Sequence, residues 1–107
     1  MPMKAGRSSE HDIAFAVMKY LATLPTATAT TGTVKKHVPK YINLTEGDHE
    51  PSGTRPNEEV WQQVVGNIVS HRKESAENFV NRGLLSYEAR KLSLTDAGRA
   101  YLKKHNA

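Results

Sequence analysis

The sequence predicts a mainly α-helical domain with one small β-hairpin, an α+β fold, and three observations predict it. Apolar residues recur at helical spacing over 10–24 and again over 57–82. Two alternating stretches, Leu84-Leu85-Ser86-Tyr87 and Lys91-Leu92-Ser93-Leu94, flank the polar tip Glu88-Ala89-Arg90, as a half-buried hairpin requires. Gly83 ahead of that hairpin and Thr95 behind it are residues that end one helix and open another.

The elements follow in order. Residues 1–8 read as a flexible basic tail and 9–105 as the folded domain. Ser9 is placed to cap a first helix, with Asp12 three positions on as the acidic half of a capping-box-like pair. Ile13, Val17, Leu21 and Leu24 form its apolar stripe, flanked by Phe15, Met18 and Tyr20, and Pro25 stops it. The run from Thr26 to Thr31 favours a short strand through its β-branched residues, with a capping loop as the alternative. A second helix over 32–38 puts Val34 and Val38 inside and Lys35 and Lys36 outside, and Pro39 shortens it. Lys40-Tyr41-Ile42 can add another turn.

From 43 to 56 the composition changes to Gly47, Asp48, Pro51, Ser52, Gly53 and Pro56 with hardly an apolar anchor, a long loop of the functional or mobile kind. Asn57 is the expected cap of the strongest helix, with Glu58 and Glu59 in its first turn where negative charge suits the dipole. Val60, Val64, Ile68 and Trp61, Val65, Val69 form adjacent rows, which Ala76, Phe79 and Val80 carry forward. One helix over 57–82 would run about 39 Å, and a kink or break near 70–75 is the alternative. Trp61 reads as a core anchor under the loop. Thr95 caps the last helix, whose Ala97, Tyr101 and Leu102 are expected to pack back on the core.

Composition excludes more than it identifies. The 107 residues form one domain by size, and the 37% hydrophobic content with mean hydropathy −0.61 implies that some of the chain is loop or tail. There is no cysteine, so disulfides and thiolate metal sites are out. No signal-peptide or membrane-spanning apolar run is present, which sets the expectation of a soluble, cytoplasmic protein. The five histidines are scattered without ligand spacing, and no nucleophile triad or phosphate-cradling glycine loop occurs. The expectation is therefore a protein with no cofactor, no metal and no enzymatic activity. A net charge of +4 favours a polyanionic partner only modestly.

Helix, threonine-rich strand, short helix, long helix, hairpin and closing helix is the order of a winged helix-turn-helix domain. Gly83-Leu84-Leu85 and the later Leu94-Thr95-Asp96-Ala97-Gly98-Arg99-Ala100-Tyr101-Leu102 resemble the ending of many bacterial winged-helix proteins. Pro51-Ser52-Gly53-Thr54-Arg55-Pro56, then Trp61 and the long helix into Gly83, resembles the N-terminal DNA-reading domain of Mrr-type restriction proteins. The likeness covers about the last 60 residues, and this chain has the longer helical stretch between loop and Gly83. Nothing after Leu102 is long enough for the nuclease domain of that family. The resemblance thus implies a reader without the cutter, a transcriptional regulator or a restriction- or phage-related DNA-reading module.

Such a domain lays a helix in the major groove and a wing on the backbone. Amides and guanidinium groups read bases, and the polar face of the long helix offers Gln63, Asn67, His71, Arg72 and Lys73. Arg90 and Lys91 at the wing tip and Lys35 and Lys36 on the second helix are the expected phosphate contacts, and Arg55 precedes the long helix where a phosphate can sit. A plain solvated surface is the alternative for each. The expected partner is double-stranded DNA, with a homodimer also compatible. The competing function is a protein-interaction winged helix with no DNA contact.

Overall fold

Ser9 opens the first helix, α1 (Glu10–Ala22), in a computed structural model that describes residues 8–53 and 57–105. Its hydroxyl accepts the Asp12 backbone N–H at 3.0 Å, and the Asp12 carboxylate accepts the Ser9 N–H at 3.2 Å. This reciprocal cap is worth about 1 kcal/mol. Seven of the helix residues are buried: Ile13, Ala14, Ala16, Val17, Met18, Tyr20 and Leu21. That is far wider than a single stripe, so α1 is the central core helix rather than a surface one.

After Pro25 the chain turns at buried Ala27 (φ 54°) into a strand, β1 (Thr28–Thr30). Thr30 ends the strand and caps α2 (Thr31–His37), its hydroxyl accepting the Thr33 N–H at 3.2 Å. The threonine run is therefore both strand and cap. Pro39 sits inside a 3₁₀ turn, Val38–Lys40, and Val34 and Val38 are fully buried, as their spacing predicts.

The loop that follows is not bare. Asp48, in a 3₁₀ turn at Gly47–His49, is 1% exposed and accepts the Ser8 N–H at 2.7 Å, the Ser8 hydroxyl at 2.8 Å and the Thr45 N–H at 3.0 Å. Ser8, part of the expected tail, is thereby tied to the loop. Farther on, Pro51 bridges Glu59, with Ser52 N–H to Glu58 C=O and Val60 N–H to Glu50 C=O both at 2.8 Å. Polar contacts fasten this segment where apolar ones are scarce.

The third helix, α3, spans Val60–Ser70, which corrects the reading of one helix over 57–82 in favour of the break near its middle. Its cap is Glu59, not Asn57, which takes φ 68° ahead of it, and Glu58 lies before the first turn. The early stop has a physical cause. The Arg72 guanidinium donates to the Val69 carbonyl at 2.6 Å and the Asn78 amide to the Ile68 carbonyl at 2.8 Å, satisfying acceptors that a continued helix would have used. Residues 71–84 then run as turns that carry Phe79, 2% exposed, into the core. Gly83 (φ 81°) redirects the chain into the hairpin.

The hairpin pairs β2 (Leu85–Glu88) with β3 (Lys91–Leu94), Leu85 opposite Leu94 and Tyr87 opposite Leu92; Glu88, expected in a three-residue tip, pairs with Lys91 instead and leaves Ala89 and Arg90 as the turn. β1 adds to the other side of β3, giving an antiparallel sheet of order β1-β3-β2 among the described residues. Thr28 and Ser93 hydroxyls share a hydrogen bond of 2.7 Å across it. The final helix, α4 (Asp96–Lys104), is capped by Thr95, whose hydroxyl accepts the Gly98 N–H at 2.9 Å. Gly98 and Leu102 are its buried residues and Tyr101 is half-buried, whereas Ala97, expected inside, is exposed. The architecture is α+β, four helices around a small sheet among the described residues.

Candidate nucleic-acid interface

Burial decides which side of α3 is available. Trp61, Val65 and Ile68 point into the core, and at 100° per residue the opposite side carries Gln63, Gly66, Asn67 and Ser70. None of these is charged. Gln63 and Asn67, one turn apart, share that outer side as their spacing predicts. The Gln63 amide oxygen accepts the Ser52 hydroxyl from the loop, and the Asn67 side chain makes no hydrogen bond among the described residues. Gln62 is committed to the helix start, its amide oxygen accepting the Glu59 N–H at 2.8 Å. Trp61 is 6% exposed, and its indole N–H donates to Glu59 at 2.9 Å.

His71, Arg72 and Lys73 fall beyond the helix end, so the row Gln63, Asn67, His71 is broken at its third member. The His71 ring lies 3.4 Å from the Glu10 carboxylate of α1. Arg72 caps α3 and lies over the Tyr87 ring at 5.1 Å, which joins α3 to the hairpin. Lys73 is exposed.

The cations divide in the same way. The Lys35 ammonium is 2.7 Å from the Glu58 carboxylate, with side chains only 19% and 23% exposed, so this charge is met within the chain. Lys36 is exposed. At the hairpin tip Ala89 (φ 54°) and Arg90 (φ 65°) are both left-handed, the conformation whose twist suits a two-residue hairpin turn. Arg90 and Lys91 project there, both exposed, with Glu88 across the ladder from Lys91. Arg55 lies outside the described residues, as do the basic Lys4 and Arg7, whereas every acidic residue lies within them.

Electrostatics at the start of α3 are negative. Hydrogen bonds from His49 and Trp61 hold the Glu59 carboxyl below its ordinary value, with burial opposing them weakly. The Glu59 carboxylate therefore disfavours phosphate at this end, whereas Glu58 is paired with Lys35; farther along the helix, Gln63 and Asn67 are uncharged and half-buried.

Two buried polar residues escaped the sequence reading. Asn78, 1% exposed, donates to Ile68 C=O and to Glu10, and accepts from the N–H groups of Val80 at 2.8 Å and Asn81 at 3.2 Å. Asp48 is the second. Burial would raise its carboxyl, but N–H donors from Thr45 and Ser8 with the Ser8 hydroxyl hold it below its ordinary value. An Asn or Asp among turn residues carries no sequence signal that separates an exposed turn former from a buried staple.

A groove of about 480 Å³ lies apart from these residues, between α1, α4 and residues 41–43, with Phe15, Lys19, Tyr41, Ile42 and Tyr101 in its lining. Among the described residues no group of three or more His, Asp or Glu is arranged to hold a metal ion, and no helix is long and apolar enough to cross a membrane. Set against protein-family models, curated proteins and solved structures, the chain matches none of them.

Proposed function

We propose that this chain is a winged helix-turn-helix module that binds double-stranded DNA, with α3 in the major groove and the β2–β3 hairpin on the backbone. The observation that carries the reading is the element order α1-β1-α2-α3-β2-β3-α4 with sheet order β1-β3-β2, in which the hairpin follows the helix that bears half-buried Gln63 and Asn67 opposite its core side. Asn67 and Gln63 read bases, while Lys36, Lys73, Arg90 and Lys91 meet phosphates. Arg72 and Lys35 serve chiefly within the fold, because each is already engaged by a partner. The module reads without cutting, in the manner of the Mrr-type domain it resembles, and acts in transcriptional regulation or as a restriction- or phage-related accessory. A homodimer spanning two half-sites belongs to the same proposal.

Anisotropy of labelled duplex DNA across a salt series tests it. The expected result is affinity that falls linearly on a log–log plot, and a slope shallower by about 2 when Arg90 and Lys91 are both replaced by Ala, one phosphate contact each. No binding at low salt, or binding indifferent to salt, overturns the reading. The half-buried aromatic residues of the α1–α4 groove favour the second reading, a protein-interaction module, and that reading takes precedence if DNA is not bound.

A further inference from the structure

We infer that Arg72 is a positioning residue that fixes the hairpin against α3, so that base and phosphate contacts engage as one rigid unit; the inference rests on the DNA-binding reading above. The two sets of contacts stand on separate elements, Asn67 on α3 and Arg90 with Lys91 at the end of the hairpin. Residues 71–84 between them run as turns, not as helix or strand. The base of the hairpin is held by the core, where Leu85 and Leu94 are buried. Toward the tip of β2 the cover thins. Tyr87, on the same face as Leu85, is only half-buried.

Arg72 supplies the missing hold. It lies just past the end of α3, and its guanidinium donates to the Val69 carbonyl at 2.6 Å. The guanidinium carbon lies 5.1 Å from the centroid of the Tyr87 ring, within cation–π range. The Arg72 carbonyl accepts the Asn81 side-chain N–H at 3.0 Å, which ties the approach to the hairpin to the same residue. One planar cation thus serves the end of α3 through its N–H groups and β2 through its charge over the ring. A lysine ammonium does not combine those roles. With the spacing fixed, docking α3 in the groove presents the tip to the backbone at no further ordering cost; without it, that cost falls on binding. Salt dependence separates this role from a phosphate contact, because the slope counts neutralised phosphates and is blind to ordering.

Duplex anisotropy across a salt series tests this on the full chain, at a temperature where circular dichroism shows each variant folded. Tyr87→Leu is the main variant, because it removes the ring, alters no charge and leaves the Val69 cap in place. It should bind about three- to tenfold more weakly, with its salt slope unchanged. Tyr87→Phe, which keeps the ring, should bind like the unaltered protein. Arg72→Gln should match Tyr87→Leu in affinity and slope, and the double variant should be no weaker than Arg72→Gln. The chain has no cysteine, so spin labels on Ser70→Cys and Ser86→Cys, both exposed sites, report the spacing without DNA. Their distance distribution should broaden in Tyr87→Leu. Parent-like binding or an unbroadened distribution in Tyr87→Leu overturns the inference alone, as do additive losses in the double variant. A slope shallower by about 1 in Arg72→Gln also overturns it, since Arg72 would then be a phosphate contact. Failure of the unaltered protein to bind any duplex overturns the DNA-binding reading and this inference with it.

Discussion

Replacing Gly98 by Ala sets two opposed effects against each other, and the structure decides between them. Gly98 lies in the first turn of α4, where Ala is still the better helix former by up to roughly 0.5–1 kcal/mol, the mid-helix figure, so local propensity predicts stabilisation. A Cβ at this position, however, would lie 2.2 Å from the Leu84 carbonyl oxygen and 2.6 Å from Leu94 Cδ1. The carbonyl is not free to swing aside, because it accepts the Thr95 N–H at 3.3 Å and the Thr95 hydroxyl at 3.0 Å. Helix α4 must instead retreat by about 1 Å, straining a packed contact at a cost of roughly 1–3 kcal/mol and weakening hydrogen bonds worth about 1 kcal/mol. The expected net is about 2 kcal/mol of destabilisation, a fall in Tm of roughly 10 °C for a domain of this size. Urea unfolding followed by fluorescence of the single tryptophan, Trp61, with far-ultraviolet circular dichroism in parallel, measures it. Ala97→Gly, exposed on the same helix, is the control and should cost only about 0.5–1 kcal/mol. A Gly98→Ala protein as stable as the parent would refute the close approach of α4 to Leu84.

Other expectations follow from the same contacts. Asn78→Leu should lose about 3 kcal/mol in urea unfolding, because the Val80 and Asn81 N–H groups and the Ile68 carbonyl lose their partner at once. The Asp48 carboxyl lies below its ordinary value in the folded chain, so the unfolded chain binds its proton first as pH falls. Its contribution is full above that ordinary value of 3.8 and disappears as pH drops through the lower folded value. Asp48→Asn should therefore be less stable at neutral pH by about 1–2 kcal/mol, with the two stability curves converging in acid; parallel curves would contradict the assignment. Arg90→Gly relieves a left-handed non-glycine at the hairpin tip and should stabilise the fold by about 0.5 kcal/mol, while lowering the salt slope of DNA binding by about 1. If calorimetry and anisotropy move in the same direction, the tip is not a phosphate contact held at a conformational cost.

Local chemistry was legible in the sequence. The caps at Ser9 and Thr95 and the presence of a hairpin over the two alternating stretches depend on residues close in the chain, and so does the apolar row Trp61, Val65, Ile68. Each is dictated by side-chain period or by a short-range hydrogen bond that the spacing alone specifies. The same reasoning placed Gln63 and Asn67 together on the side of a helix opposite its apolar row, where both are half-buried. What tertiary structure decided was everything set by distant partners. Helix α3 ends at Ser70 because Arg72 and Asn78 fold back onto its last carbonyls, although the apolar pattern runs on to Val80. β1 joins the sheet because β3 has a second edge to fill, and Lys35 loses its standing as a free cation because Glu58, 23 residues on, comes within 2.7 Å. Helical period says which residues face outward together. Only packing across the chain says where a helix stops, which outward groups are already engaged, and so which remain to meet a partner.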